Sequence, residues 1–119
     1  MATPYSVVLK IDNRLLANLT DPRPNLIHGV LDGRDWPLVP MGTTSSEIRI
    51  NSLNPEDGVQ GSVSYISVHK HARKVTFNFT CNSQKCSATA ESYTVVASTR
   101  DQSASSPLTV LYVAKEIID

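Results

Sequence analysis

The chain has 119 residues, of which 40% are hydrophobic and 18% are charged, and 11 basic residues balance 11 acidic ones. This length suits one domain with its own core, and the hydrophobic content excludes compositional disorder. The balanced charge argues against nucleic-acid binding, which usually shows a basic excess or stripe. Because no apolar run reaches about 20 residues, a membrane-spanning helix is excluded as well. We therefore predict one domain over residues 1–119, with no nucleic-acid partner.

The dominant hydrophobic period is two residues, which indicates β-strands rather than helices. In chain order, strand candidates cover 5–12, 26–31, 36–39, 47–50, 59–68, 74–80, 93–98 and 108–113. The last of these is apolar on both faces, which favours a central strand. Helical patterning is confined to single turns at 14–19 and 87–91. Seven or eight short strands at this spacing predict an all-β fold, an antiparallel two-sheet β-sandwich.

Turn-forming residues separate the strand candidates, at 21–25, 32–33, 54–58 and 103–107. Most of the prolines fall in these segments, where they cost no ladder hydrogen bond. The candidate at 59–68 is less regular, since its apolar residues change parity between Tyr65 and Ile66. It also contains Gly61. This combination predicts a bulge or a close approach of another backbone.

Two cysteines, Cys81 and Cys86, flank a polar segment of four residues. A disulfide between them would close a short loop and contribute about 2 kcal/mol; a pair of free thiols is the alternative. The first residues do not resemble a signal peptide. We expect a protein that is secreted or exported without a visible signal peptide, with a cytoplasmic location as the alternative. The glycosylation patterns at Asn18 and Asn78 matter only in a secretory pathway.

Candidates for catalysis are few. They are three histidines, His28, His69 and His71, and the two cysteines, and no Gly-x-Ser-x-Gly elbow or phosphate-binding loop accompanies them. His69 and His71 would share a face of one strand, but a metal site needs a third ligand from elsewhere. We predict a non-catalytic protein without a metal or cofactor.

The segment 31–37 is the strongest binding candidate, because it places the only tryptophan, Trp36, beside Arg34 and Asp35 in a predicted loop. Loops on a rigid sandwich often carry recognition. Trp and Arg are enriched at binding hot spots, and aromatic rings bind cationic groups. We predict that Arg34, Asp35 and Trp36 contact a ligand. The alternative is that Trp36 enters the core at the start of a strand.

The order of several short motifs resembles the aegerolysin and actinoporin-like β-sandwich proteins over residues 5–98. The first strand ends in Ile11-Asp12-Asn13, Gly29 and Gly33 precede Trp36-Pro37, and a Gly-x-x-Gly segment leads into the strand at 58–65. An aromatic strand at 74–81 is followed by a short turn and then by Tyr93-Thr94-Val95. The group includes fungal lipid binders, cytolysins and lectins.

This resemblance implies recognition of a lipid head group or glycan, with a membrane surface as a partner. Two departures limit it. Residues 1–4 leave no room for the amphipathic helix of the actinoporins, so no pore-forming helix of its own is expected, and the turn at 82–85 lacks the aromatic residues of the aegerolysins. Among the binding tyrosines of the actinoporins, only Tyr93 is a candidate for transfer. The alternative function is a protein-interaction or structural subunit that acts through a homo-oligomer or partner contacts.

Overall fold

The computed structural model describes residues 5–33 and 35–117, which form nine β-strands and no helix that could span a membrane. The strands are β1 (Ser6–Arg14), β2 (Thr20–His28), β3 (Val30–Leu31), β4 (Ile48–Asn51), β5 (Val59–His69), β6 (His71–Cys81), β7 (Cys86–Glu91), β8 (Val96–Arg100) and β9 (Leu108–Lys115). The five-stranded sheet has the order β3-β4-β1-β9-β8, and the four-stranded sheet has the order β2-β5-β6-β7. The predicted two-sheet β-sandwich is confirmed, with nine strands rather than seven or eight.

Strand pairing is antiparallel apart from β1 and β9, which run parallel from Val7 opposite Leu108 to Arg14 opposite Lys115. As the apolar run at 108–113 predicts, β9 is internal and lies between β1 and β8. Both outer edges of the five-stranded sheet, β3 and β8, are short. Short edges limit pairing with another chain.

The core lies between the sheets and follows the period-two pattern. Val75, Phe77 and Phe79 of β6 are fully or almost fully buried. The Phe77 ring contacts a tyrosine on each side, with centroid distances of 4.7 Å to Tyr112 and 6.1 Å to Tyr65. These three rings join the two sheets, because Tyr112 belongs to the five-stranded sheet and the other two belong to the four-stranded sheet.

The turn prediction at 21–25 is wrong, because this proline-rich segment belongs to β2. Proline is tolerated there since β2 is an edge strand whose only partner is β5. The pairing of β2 with β5 shifts register twice, between Thr20 and Arg23 and between Leu26 and His28. The helical turn considered at 87–91 is likewise a strand, β7, and the strand candidate at 36–39 contributes only an isolated bridge between Val39 and Leu19.

The parity change near Tyr65 does not mark a bulge in β5. Its pairing with β6 is unbroken from Val59 opposite Cys81 to His69 opposite His71. The pattern changes because Ser67 is a buried polar residue, and its hydroxyl accepts a hydrogen bond from Arg73 at 3.2 Å. The close backbone approach predicted at Gly61 is confirmed, since a Cβ there would lie 2.7 Å from the Asn25 carbonyl oxygen.

Cys81 and Cys86 form a disulfide that joins the facing ends of β6 and β7. Cys81 is fully buried in the core, and Cys86 is half-buried against it. The disulfide prediction is therefore confirmed, and the free-thiol alternative is wrong. The bond holds together the β6–β7 hairpin at 81–86, which lies at one end of the four-stranded sheet.

Candidate ligand-binding surface

Tyr93 stands out in the connection between β7 and β8, where its side chain is fully exposed with a relative accessibility of 105%. The preceding residue holds the turn, because the Ser92 hydroxyl donates to the Lys74 carbonyl at 2.7 Å and accepts the N–H groups of Thr94 and Val95. On the other side of Tyr93, Val95 is buried in the core. The local structure therefore fixes the backbone and directs the Tyr93 ring into solvent.

A cavity of about 240 Å³ lies beside this ring, lined by Lys74, Thr76, Glu91, Ser92 and Tyr93. Thr76 and Glu91 are direct neighbours across β6 and β7. Lys74 and Thr76 are two apart on β6 and therefore share its outer face. The cavity, which we call the Tyr93 cavity, combines an aromatic ring, an ammonium group, a carboxylate and two hydroxyls. It can stack, donate and accept hydrogen bonds, and pair with either sign of charge.

A second depression of about 190 Å³ lies on the same outer face of the four-stranded sheet. Its polar side chains come from three adjacent strands, and we call it the amide–hydroxyl groove: Asn25, Gln60, Ser62, Asn78 and Thr80. One straight cross-strand row runs from Asn25 to Ser62 and on to Asn78. Ile27, 58% exposed, lies at its rim.

Two buried tyrosine hydroxyls hold surface backbone from inside the core, one beneath the amide–hydroxyl groove and one in the connection between β3 and β4. Tyr112 donates to the Asn78 carbonyl and so fixes the backbone beneath the amide–hydroxyl groove. Tyr65 donates to the Pro37 carbonyl at 2.7 Å. Burial raises the pKa of both hydroxyls, so that both remain donors at every physiological pH.

Trp36 lies in the connection between β3 and β4, where it is half-buried and packs against the core. Asp35 beside it is exposed, and Arg34 lies outside the described residues. Because Tyr65 holds the next residue, Pro37, through its carbonyl, this segment is tied to the four-stranded sheet. Two residues further on, Val39 forms a bridge with Leu19, the residue before β2.

The structure does not bring Trp36 and Tyr93 together. The Trp36 segment follows β3, at one outer edge of the five-stranded sheet, whereas Tyr93 leads into β8 at the opposite edge. The residues that line the Tyr93 cavity include none from the segment 35–37. Of the predicted contact residues that the structure describes, Asp35 and Trp36 therefore lie on one surface and Tyr93 on another.

The histidines considered for a metal site have a different geometry from the one expected. His69 ends β5 and His71 begins β6, so they face each other across a hairpin instead of sharing one strand. His28 lies 3.9 Å from Asp57, between Nδ1 and Oδ2. Within 5–33 and 35–117, no three His, Cys, Asp or Glu residues cluster as metal ligands would.

Sequence reasoning missed Lys74, Thr76 and Glu91, which line the Tyr93 cavity. The alternation at 74–80 already indicated that Lys74 and Thr76 face outward. The pairing register of β6 with β7, which sets Glu91 beside Thr76, has no signal in a single sequence. The missed residues are therefore those that depend on a neighbouring strand.

The fold and the two depressions define the class of molecule: a disulfide-pinned β-sandwich with a polar outer sheet face. No known family model and no curated protein matches the chain. Two solved structures are similar across nearly their whole length. The crystal structure of IP-1A from Alcaligenes faecalis has 12% identity and a TM-score of 0.67, and the match covers 98% of this chain and 94% of that one. The RahU protein in complex with a TRIS molecule has 12% identity and a TM-score of 0.70, and the match covers 97% of each chain. At this identity the likeness shows the shared fold alone.

Proposed function

We propose that the protein is a non-catalytic binding module that recognises a lipid head group or a glycan through the Tyr93 cavity. One observation carries the proposal: a fully exposed aromatic ring is held beside a cavity that also presents Lys74 and Glu91. Tyrosine combines an apolar ring with a polar hydroxyl, and it is enriched at interfaces and at binding hot spots. The resemblance to aegerolysin and actinoporin-like proteins is part of this proposal.

A lipid head group and a glycan unit have one feature in common. Each is a compact group that bears hydroxyls or a pair of opposite charges. The Tyr93 ring can cover a quaternary ammonium or the apolar face of a sugar. Glu91 and Lys74 carry opposite charges, so a zwitterion or a neutral polyol suits the cavity better than a strongly anionic ligand. Ser92 is committed to backbone hydrogen bonds, which leaves the hydroxyls of Thr76 and Tyr93 to meet the ligand.

Replacing Tyr93 with Ala is expected to weaken ligand binding by at least about tenfold, because truncating an aromatic anchor at a hot spot costs more than about 1.4 kcal/mol. Tyr93→Phe is the matched control, since it keeps the ring and removes only the hydroxyl. Binding is measured by co-sedimentation with vesicles that contain sphingolipids, phosphocholine lipids or glycolipids, and in parallel on a glycan array. Equal binding by Tyr93→Ala and the parent protein would refute the Tyr93 site.

The tryptophan gives a second readout that separates the two surfaces. Ligand entering the Tyr93 cavity is expected to leave the Trp36 emission unchanged, because Trp36 lies at the opposite edge of the sandwich. A blue shift on binding, together with loss of binding in Trp36→Ala, would instead assign the contact to Arg34, Asp35 and Trp36. Binding to no vesicle and no glycan would refute the proposed function as a whole.

The alternative proposal is a protein-interaction subunit, and a different surface supports it. Leu16, Met41 and Val68 are 57%, 53% and 63% exposed and line a depression of about 350 Å³. This depression lies at the end of the sandwich where β1 and β5 finish. If this surface joins two copies of the chain, sedimentation velocity will show a dimer that Val68→Asp abolishes. A monomer at all concentrations would count against it.

A further inference from the structure

The amide–hydroxyl groove and the Tyr93 cavity lie on the same outer sheet face and share one strand. The outward side chains of β6 follow one another as Lys74, Thr76, Asn78 and Thr80. The first two line the Tyr93 cavity, and the last two line the groove. From Lys74 to Thr80 the strand extends by about 20 Å, at about 3.4 Å per residue. A ligand that fills both depressions is therefore longer than one sugar ring or one lipid head group.

The groove has the chemistry of a site for neutral hydroxyls. None of its lining residues is charged. Amide and hydroxyl side chains both donate and accept hydrogen bonds, as sugar hydroxyls do. Among the side-chain hydrogen bonds of the described residues, these five polar side chains make only one, from Asn78 Nδ2 to the Thr89 hydroxyl at 3.3 Å. Their remaining capacity is directed outward.

The backbone below the groove is held by close packing of its strands. Gly61 allows β2 to lie close to β5, since a Cβ there would come within 2.7 Å of the Asn25 carbonyl oxygen and 3.0 Å of Leu26. The Tyr112 hydroxyl fixes Asn78 from the core side. Such rigid support reduces the entropy lost when a ligand binds. Ile27 at the rim offers an apolar surface for the C–H face of a sugar ring.

We propose that the ligand is a neutral oligosaccharide that runs along β6 from the Tyr93 cavity into the amide–hydroxyl groove. This inference rests on the proposed function and chooses the glycan over the lipid head group. A phosphate-bearing head group would find a single ammonium, Lys74, and no charged partner in the groove. A glycan chain would place one unit against the Tyr93 ring and later units on Asn78, Ser62 and Thr80.

The test is calorimetric titration of the full chain with neutral β-1,4-linked glucose and N-acetylglucosamine oligomers, from monosaccharide to hexasaccharide, after a screen on a neutral glycan array. Affinity is expected to rise with chain length up to the oligomer that fills both depressions. The double variant Ser62→Ala/Asn78→Ala is expected to lose about 20-fold on long oligomers, as two hydrogen bonds are removed. It should bind the monosaccharide as the parent does. Ser98→Ala removes an exposed hydroxyl from the other sheet and should change nothing.

The outcomes separate the two proposals. Vesicle binding that depends on Tyr93, without binding of any neutral oligosaccharide, would overturn the proposal that the groove binds a glycan. It would leave the proposed function standing. If the double variant binds long oligosaccharides as tightly as the parent protein does, the proposed role of the groove is also refuted. If neither vesicles nor glycans bind, both proposals fail. Thermal unfolding of each variant serves as the control for folding, and the outward-facing substitutions are expected to leave the unfolding temperature close to that of the parent.

Discussion

Substituting Gly58 with Ala is expected to lower the free energy of unfolding by about 3 kcal/mol, from left-handed backbone strain and overpacking together. Gly58 has a φ of 68°, in the left-handed region that residues with a Cβ avoid. It also lies against the disulfide hairpin, where a Cβ would meet the Cys81 carbonyl oxygen at 2.4 Å and the Asn82 Cα at 2.9 Å. Because the obstructing atoms are backbone, they cannot rotate away.

Gly42 provides a matched control for this experiment. Its φ of 75° is close to that of Gly58, but a Cβ at Gly42 would have no atom within 4 Å. Gly42→Ala therefore isolates the backbone strain, which costs about 1 kcal/mol. Urea unfolding of both variants measures the difference. If the two substitutions cost the same, the hairpin yields to the added Cβ, and the account of Gly58 as a spacer for the disulfide turn is wrong.

The strand pattern of this chain could be predicted wherever apolar residues alternate with polar ones. Val75, Phe77 and Phe79 are inward-facing, as expected, and the intervening side chains form the outer surface. The same reasoning failed at 21–25, because proline usually marks a turn and nothing in the sequence shows that the strand lies at an edge. The same reasoning also predicted a bulge near Tyr65, where the strand in fact continues regularly with Ser67 buried. The partner of Ser67 is Arg73, and only the pairing of β5 with β6 brings the two residues together.

The candidate site was harder to predict than the fold, for a related reason. Tyr93 was named only through the resemblance to the actinoporins and their binding tyrosines, and the groove is assembled across three strands by register. Asn25, Ser62 and Asn78 form one row, and they are separated in sequence by tens of residues. Trp36 was predicted to bind because of its residue type and its place beside Arg34 and Asp35 in a predicted loop, whereas in the structure it is half-buried and packs against the core. Residue type indicates what a site can do, but register decides which residues share it.

The most buried ion pair among the described residues joins Arg73 and Glu116. Its loss is expected to destabilise the sandwich by about 2 kcal/mol, because the buried Arg73 would lose its charged partner. The Arg73 side chain is only 9% exposed, and it donates through Nη1 to Glu116 Oε1. Glu116 Oε2 accepts the Leu16 N–H at 2.7 Å. The carboxylate thus ties the segment after β9 to β6 and to the β1–β2 connection. Glu116→Ala removes both contacts.

The design needs two comparisons. Glu47 is exposed on the same protein, so Glu47→Ala measures the cost of losing a carboxylate that has no such role, and it should stay within about 0.5 kcal/mol of the parent. The double variant Arg73→Met/Glu116→Gln removes both charges, and the amide oxygen it introduces can still accept the Leu16 N–H. It is expected to recover part of the stability, because no buried charge is left without its partner. A double variant less stable than Glu116→Ala would contradict this account.

The same pair makes stability depend on pH. The hydrogen bond from the Arg73 guanidinium, assisted by the Leu16 N–H, holds the pKa of Glu116 below its ordinary value of 4.5, although burial acts in the opposite direction. A weaker coulombic effect of His69 also lowers this pKa. A carboxyl whose pKa is lowered by folding stabilises the protein fully above its unfolded pKa, and this contribution is lost as pH falls through the folded pKa. The stability gap between the parent and Glu116→Gln is therefore expected to narrow as pH falls below the ordinary pKa of Glu. Urea unfolding at a series of pH values below about 5 measures the gap, and a gap that widened over this range would show that the Arg73 contact does not stabilise the ionised form of Glu116.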